Sequence, residues 1–330
     1  MALVDSFGRI HEDLRVSVTD RCNLRCAYCM PEEPVWFSRG EILSYEEIHR
    51  LVRICADGGV RKVRITGGEP LLRRDLPRLI AMLAAIPEID DLSLTTNGLL
   101  LGEKARDLAQ AGLRRVNVSL DTIVPERFRQ MTRRPLLQKV LDGLAGATAA
   151  GLAPIKVNTV VVRGLNEDEI ETFVSRAREE GWEIRFIEFM PLENGETWNR
   201  DRVVSGEEIR RRIHDVWPLE REPSGERRAP ARRYRFRDSK GSVGFINSVS
   251  EPFCSSCSRL RITADGRLRV CLYDSDEIDL RTALRSGATD GELESAIRTA
   301  LDAKDRGGAL KILERQEALP LSRTMHQIGG

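Results

Sequence analysis

The sequence predicts an α/β protein with a parallel sheet and helices outside it, and three observations carry that prediction. From Leu14 to about Met190, short β-branched runs alternate with longer helical patterns. Within the runs, apolar and polar side chains alternate, so each strand has two unlike faces. After about Asp201 the texture turns Arg-, Glu- and Pro-rich, which closes this unit and opens a smaller one.

The candidate strands are Leu14–Val18, Val63–Thr66, Leu92–Thr95, Val116–Leu120, Ile155–Val162 and Ile184–Phe189. Among the helices between them, Ser44–Ala56 begins with Ser44 as N-cap and Glu47 completing a capping box, and Leu136–Ala150 stops before Gly151. Six such βα units suit an incomplete (β/α)6 barrel, TIM-like but smaller than the eight-stranded form. One face of the strands carries Val16, Ile65, Leu94, Val118 and Val157; the other carries Arg15 and Ser17, Arg64 and Thr66, Ser93 and Thr95, Asn117 and Ser119, Lys156 and Asn158. Parallel strands covered on both sides normally read as continuous apolar runs. A polar face here therefore points to a lumen, and Arg15, Arg64 and Lys156 inside it call for an anionic ligand. The competing reading is a sheet with one face in solvent.

The stretch from Asp201 to Arg237, which includes EREPSGERRAPARR, reads as a solvated linker, because Glu and Pro interrupt its basic run and it lacks the interleaved aromatics of a nucleic-acid surface. We place the boundary between a barrel domain, 1–225, and a C-terminal α+β domain, 226–330. In the latter, Tyr234–Phe236, Val243–Ile246, Leu260–Thr263 and Arg267–Leu272 read as strands, the last two joined by an Ala264-Asp265-Gly266 turn, with helices from about Asp279 to Arg315. The formal charge of +1 gives no global field for nucleic acid or membrane, no apolar run has the length of a span, and the first residues resemble no targeting segment, so a cytoplasmic protein is expected.

Six of the seven cysteines fall into two compact sets, which in a reducing compartment reads as metal binding. Cys22, Cys26 and Cys29 form Cys-x3-Cys-x2-Cys. Iron–sulfur clusters usually take four thiolates, so three on one loop leave an iron open to a substrate or cofactor. A closed zinc site wants four ligands and no His or fourth Cys lies nearby. The spacing resembles the signature of the radical S-adenosylmethionine enzymes. Cys254 and Cys257, followed by Cys271 across the predicted hairpin, make a second set of three, better suited to another [4Fe–4S] cluster than to zinc. Cys55 reads as core packing. Arg259 and Arg261 share a strand face beside this second set; they fit either an exposed edge or, opposite a barrel mouth lined by Arg15, Arg64 and Lys156, a triphosphate pocket.

The runs LRVSVTDRCNLRCAYCMP, KVRITGGEPLLRRDL, LTTNG, VNVSLD, KVNTVVVRGLN, IRFIEFMP, CSSCSRLRITADGRLRVCL and the terminal IGG together resemble the GTP 3′,8-cyclase family over nearly the whole chain. That resemblance implies a radical enzyme that joins C3′ of the GTP ribose to C8 of guanine, the first step of molybdopterin synthesis, using two [4Fe–4S] clusters and S-adenosylmethionine. It implies that Cys22, Cys26 and Cys29 hold the cluster that binds S-adenosylmethionine, with Tyr28, Gly67, Gly68, Glu69, Ser119 and Met190 around that cofactor. Cys254, Cys257 and Cys271 would hold the second cluster, whose open iron takes the guanine. Arg15, Arg64, Thr95, Lys156, Arg259, Leu260 and Arg261 would surround GTP, with Arg185 as a further neighbour.

The resemblance also implies that Gly329 and Gly330 enter the barrel for the step at C3′; without it, the tail reads equally as a frayed end. The implied partners are a one-electron donor protein and cyclic pyranopterin monophosphate synthase, which takes the product, with the enzyme a monomer or homodimer. Two other readings remain at this stage. One is a two-cluster radical enzyme acting on a peptide, and the other is a non-catalytic zinc- or RNA-binding module.

Overall fold

The computed structural model describes residues 1–192, 198–223, 230–315 and 323–329. Part of the expected linker, 224–229, and the terminal Gly330 lie outside the described residues. The strands are β1 Asp13–Ser17, β2 Lys62–Thr66, β3 Asp91–Thr96, β4 Arg115–Ser119, β5 Ile155–Val161, β6 Glu183–Glu188, β7 Leu219–Arg221, β8 Arg232–Phe236, β9 Ser242–Ile246, β10 Arg259–Ile262, β11 Arg267–Arg269 and β12 Ile278–Asp279. The helices are α1 Tyr45–Asp57, α2 Leu76–Ala84, α3 Leu101–Gln110, α4 Pro125–Thr132, α5 Leu137–Ala149, α6 Ile170–Glu180, α7 Gly206–Val216, α8 Leu280–Arg285, α9 Asp290–Asp302, α10 Gly308–Arg315 and α11 Met325–Ile328. None is long and apolar enough to cross a membrane.

All six expected βα strands form, and the Ser44–Glu47 capping box starts α1 as expected. The strands of the C-terminal part, however, join the same sheet. The order is β12-β11-β10-β1-β2-β3-β4-β5-β6-β9-β8-β7, and the neighbours from β10 through β9 are all parallel. Two strands thus extend the parallel run beyond the six expected. Their placement escaped the βα alternation because neither follows a crossover helix: β9 comes out of the β7–β8 hairpin and β10 follows the Cys254–Ser256 turn. The sheet stays open, ending in β12 and β7.

Alternation along the strands holds as expected. Leu14, Val16, Ile65, Leu94, Val118, Val157 and Ile184 are buried under the helices in one continuous core, and Cys55 packs there too. α3 and α5 lie against each other through glycines. A Cβ added at Gly143 would stand 2.3 Å from the carbonyl oxygen of Gly98, and one at Gly146 would stand 2.8 Å from Cα of Gly102. Backbone cannot yield as a side-chain tip can, so Gly143→Ala should lower stability by about 1–3 kcal/mol, read as a shift of the urea midpoint without a change in slope.

Candidate active site

The first thiol loop leaves the carboxyl end of β1 and is held from three sides. Gly68 and Glu69 donate backbone N–H bonds of 2.7 Å to the carbonyls of Thr19 and Arg21. A Cβ at Gly68 would lie 2.3 Å from the Asp20 oxygen and one at Gly67 would lie 2.7 Å from that of Thr19, so the glycine pair is needed for this close approach. Glu69 is fully buried and accepts from Thr96 Oγ1 and from the N–H groups of Leu71 and Asn97. Asn97 in turn donates to Asn23 Oδ1 at 2.8 Å and reaches toward Cys22 Sγ at 3.8 Å. On the other flank, Arg25 and Ala27 donate to the carbonyls of Thr132 and Met131, and the Tyr28 hydroxyl donates to Asp121. Burial, together with the neighbouring Cys29 and Cys22 thiols, raises the Cys26 thiol well above its ordinary value. Ser119 is exposed at the carboxyl end of β4, and Met190 is half-buried just beyond β6.

The second thiol set stands at the other end of the same strands. Cys257 immediately precedes β10, which is parallel to β1, and Cys271 follows the antiparallel β11. Burial and the charges of Cys271 and Cys257 raise the Cys254 thiol. Burial also works against the Cys257 thiolate, but Arg259 and then Lys304 outweigh it and bring the thiol down to about 7. Gly307 and Gly308 close over this set: an added Cβ would meet Cys254 Sγ at 2.5 Å and Cys271 Sγ at 3.3 Å respectively. Two groups of three soft thiolates, each on a backbone cradle that side chains would fill, fit iron–sulfur ligation. Among the described residues, no group of three or more His, Cys, Asp or Glu side chains is placed to hold a single metal ion.

Beside the second thiol set the polar strand faces line a cavity of about 910 Å³, bounded by Arg15, Arg64, Ser93, Arg115, Lys156 and Arg185 on the sheet and by Phe253, Ser255 and Ser256 of the second thiol loop. Arg259 and Arg261 were expected opposite this wall. β10 instead pairs beside β1, with Arg261 in register with Arg15 and Arg15 with Arg64, and neither Arg259 nor Arg261 is among the cavity-lining residues. Leu260 between them faces the core. Burial, then Arg261, Arg64 and Arg259, push the Arg15 guanidinium well below its usual range. Arg64 and Arg261 fall to about 10, chiefly by burial. Lys156 falls to about 7 through burial and Arg185, against the opposing Glu183 carboxylate 3.7 Å away. Thr95 accepts from Asn117 Nδ2 at 3.4 Å and is not among the cavity-lining residues. A wall of mutually repelling, desolvated cations suits a polyanion.

The C-terminal segment closes the lumen at the first thiol loop. Thr66 Oγ1 donates to the Gly329 carbonyl at 2.9 Å. Gly329 has φ +87°, and a Cβ there would meet Ser17 Cβ and Thr66 Oγ1, each at 2.7 Å. Ile328 is buried, as the apolar anchoring of the tail requires, whereas Met325 is only partly so. His326, which sequence reasoning passed over, packs edge-on against Trp36 with centroids 5.5 Å apart, and Arg323 makes a two-pronged bond to Asp265 of the β10–β11 turn at 3.0 and 2.9 Å. Neither residue has a local sequence signal, since their partners are distant in the chain. Arg115 was also missed, although it continues the polar parity of Asn117 and Ser119 by one step.

Comparison with known proteins agrees with this geometry. Residues 16–177 match the family model of the radical SAM superfamily, and residues 182–310 match that of Molybdenum Cofactor Synthesis C. Proteins named GTP 3′,8-cyclase from Syntrophomonas wolfei and Pelotomaculum thermopropionicum are 44% and 47% identical, aligned over 99% of this chain and over 100% and 99% of their own length. The chain belongs to the GTP 3′,8-cyclase family. Family membership brings an iron–sulfur cluster and S-adenosylmethionine, for which the thiol sets are suited. Among solved structures, Streptococcus suis SuiB bound to S-adenosylmethionine has TM-score 0.61 at 14% identity, covering 97% of this chain and 78% of that one, a likeness of fold.

The second thiol loop is braced by a buried network that the cyclase motifs do not include. Arg9 donates to the Cys254 and Arg306 carbonyls at 2.8 Å and to Asp305 at 2.9 Å, and pairs through Nε with Asp5 at 2.6 Å. His11 Nε2 lies 3.0 Å from the same Asp5 oxygen, Oδ2. Burial, then the Lys304 charge, lower His11 from 6.5 to about 4. Below pH 6.5 the unfolded chain takes up a proton that folded His11 refuses, so stability falls as pH drops from about 6.5 to about 4. Urea unfolding at pH 7 and pH 5 should show that fall, of about 3 kcal/mol at most over the window, and His11→Gln should flatten it.

Proposed function

We propose that the chain is a GTP 3′,8-cyclase: a radical S-adenosylmethionine enzyme converting GTP to (8S)-3′,8-cyclo-7,8-dihydroguanosine 5′-triphosphate in molybdenum cofactor biosynthesis. The observation that carries the reading is the cavity walled by Arg15, Arg64, Arg115, Lys156 and Arg185 beside the second thiol loop, on strands whose other end carries the first thiol loop. Cys22, Cys26 and Cys29 would hold one [4Fe–4S] cluster with S-adenosylmethionine, and Cys254, Cys257 and Cys271 a second one facing the guanine. When bound, the first cluster and its cofactor supply one-electron cleavage of the sulfonium and a radical able to take the C3′ hydrogen.

The chain's own residues do the rest by placement. Arg15, Arg64, Lys156, Arg259 and Arg261 fix the triphosphate, so that binding energy remote from the reacting carbons orients the ribose. Gly67, Gly68 and Glu69 hold the first thiol loop, while Tyr28, Ser119 and Met190 stand at or just beyond it on the S-adenosylmethionine side. Thr95, on the same face of β3 as Ser93 but outside the cavity lining, is assigned to GTP by the family resemblance alone. Gly329, which stands against Ser17 and Thr66, and the Gly330 that follows it in sequence would serve the step at C3′. A one-electron donor protein, a monomeric or homodimeric working unit, a cytoplasmic setting and hand-over of product to cyclic pyranopterin monophosphate synthase belong to the same reading, and the family alone supports them.

The deciding experiment incubates anaerobically reconstituted protein with S-adenosylmethionine, a reductant and each nucleoside triphosphate, followed by mass analysis. The cyclised product should form from GTP, and its absence with intact 5′-deoxyadenosine release would overturn the substrate assignment. Iron and sulfide analysis should find two clusters in the wild type and one in Cys271→Ala, with the remaining cluster still perturbed in its paramagnetic resonance by S-adenosylmethionine. Zinc in the second site would sink the two-cluster claim. Deleting Gly329-Gly330 should abolish cyclisation while leaving both clusters and 5′-deoxyadenosine formation largely intact; full cyclase activity would assign the tail no role.

A further inference from the structure

Strand register places a fourth arginine on the substrate wall. Cα partners run Arg261 to Arg15 to Arg64 to Ser93 to Arg115 across β10, β1, β2, β3 and β4, a single row of side chains on the lumen face. At about 4.8 Å between strands the row extends roughly 19 Å around the barrel. Three of its arginines are those through which the family reading binds GTP. Arg115 closes the row at the end far from the second thiol set and, like Lys156 and Arg185, lines the cavity.

The Arg115 guanidinium is aimed. Nε donates to Asp91 Oδ1 at 2.7 Å and Nη2 to Asp91 Oδ2, so one edge of the fork is locked by a carboxylate on the neighbouring strand. Nη1 is buried and has no hydrogen-bond partner among the described residues. A charged N–H left this way is costly until an acceptor arrives. Asp13 and Glu183 bear on Arg115 from across the lumen, but they also face the other cations there: Asp13 acts on Arg64 and Arg15, and Glu183 pairs with Arg185 at 2.5 Å. The acceptor that suits Nη1 is therefore a phosphate oxygen on an extended polyanion already held by the rest of the row.

We infer that Arg115 is a further substrate-binding residue, donating from Nη1 to the phosphate of the nucleotide most distant from the guanine. The inference rests on the GTP reading, with the base at the second thiol set. Its consequence is selectivity by chain length: a triphosphate reaches Arg115, and a monophosphate does not.

Equilibrium dialysis of GTP, GDP and GMP against anaerobically reconstituted wild type and Arg115→Gln tests this. The variant should bind GTP about tenfold more weakly and GMP as the wild type does. Unchanged GTP affinity overturns the inference, and so does an equal loss for all three nucleotides, which would mark Arg115 as a brace for Asp91 and no more. If Arg115→Gln alone unfolds the protein by stranding Asp91, the Asp91→Asn, Arg115→Gln double variant removes the lone carboxylate and should show the same GTP-selective loss. Wild type that retains GMP but shows no preference for GTP also overturns it, whereas failure to bind any guanine nucleotide would fell the parent reading first.

Discussion

Guanidinium groups set side by side on one face of a parallel sheet govern the rest of this molecule. Arg261, Arg15 and Arg64 are register neighbours, and each is pushed below its usual range, by burial first and also by other arginines: Arg261 and Arg64 act on Arg15, Arg115 and Arg185 on Arg64, and Arg259 on Arg261. Like charges directly across strands destabilise a sheet. Asp91 and Glu183 offset part of this repulsion locally, at Arg115 and at Arg185 with Lys156. The remainder is tolerated because the opposite face of the same strands is dry: Leu14, Val16, Leu94, Val116, Val118 and Val157 are all buried beneath helices. The apolar face thus stabilises a barrel whose lumen is strained until an anion enters, an arrangement expected where function opposes stability.

Glycines in this chain act chiefly through backbone approach. The pair at Gly67-Gly68 reads from sequence as a place where backbone could meet a ligand, yet its immediate partners are the carbonyls of Thr19, Asp20 and Arg21, on the segment that leads into the first cysteine loop. Its effect on any cofactor is therefore through the position of that loop. Gly307 and Gly308 do the same for the second thiol set. Glu69 belongs to this bracing layer as well. Its three hydrogen bonds tie the loop after β2 to the end of β3, and burial, against those bonds, raises its carboxyl to about 7.

The barrel half was legible because its strands obey two local rules: period-2 alternation, which separated Arg15, Arg64 and Lys156 from the core, and helix punctuation at Ser44 and Gly151. What was not legible is pairing between segments far apart in the chain. Nothing local to Arg259–Ile262 says that it lies beside Asp13–Val16, so Arg261 was expected opposite Arg15 and instead stands next to it in the sheet. Arg115 was missed by a single residue of strand boundary, which is where sequence reading is least secure. His326 and Arg323 depend on Trp36 and Asp265, contacts made only once the chain has closed on itself.

That closure explains why one sheet must carry both thiol sets. Because β10 is parallel to β1, the loop before β10 and the loop after β1 sit at opposite ends of one strand pair, separated by about 17 Å for five residues of strand. The arginine row crosses at Arg15, midway. One row higher, at Ser17 and Thr66, the tail enters with Gly329 where no Cβ fits. Along a single strand the order is therefore second thiol loop, arginine row, tail, first thiol loop. A two-domain hinge would let that order drift; continuous hydrogen bonding from β12 to β7 holds it in register, so the separation of the two thiol loops is set by the length of β1 itself.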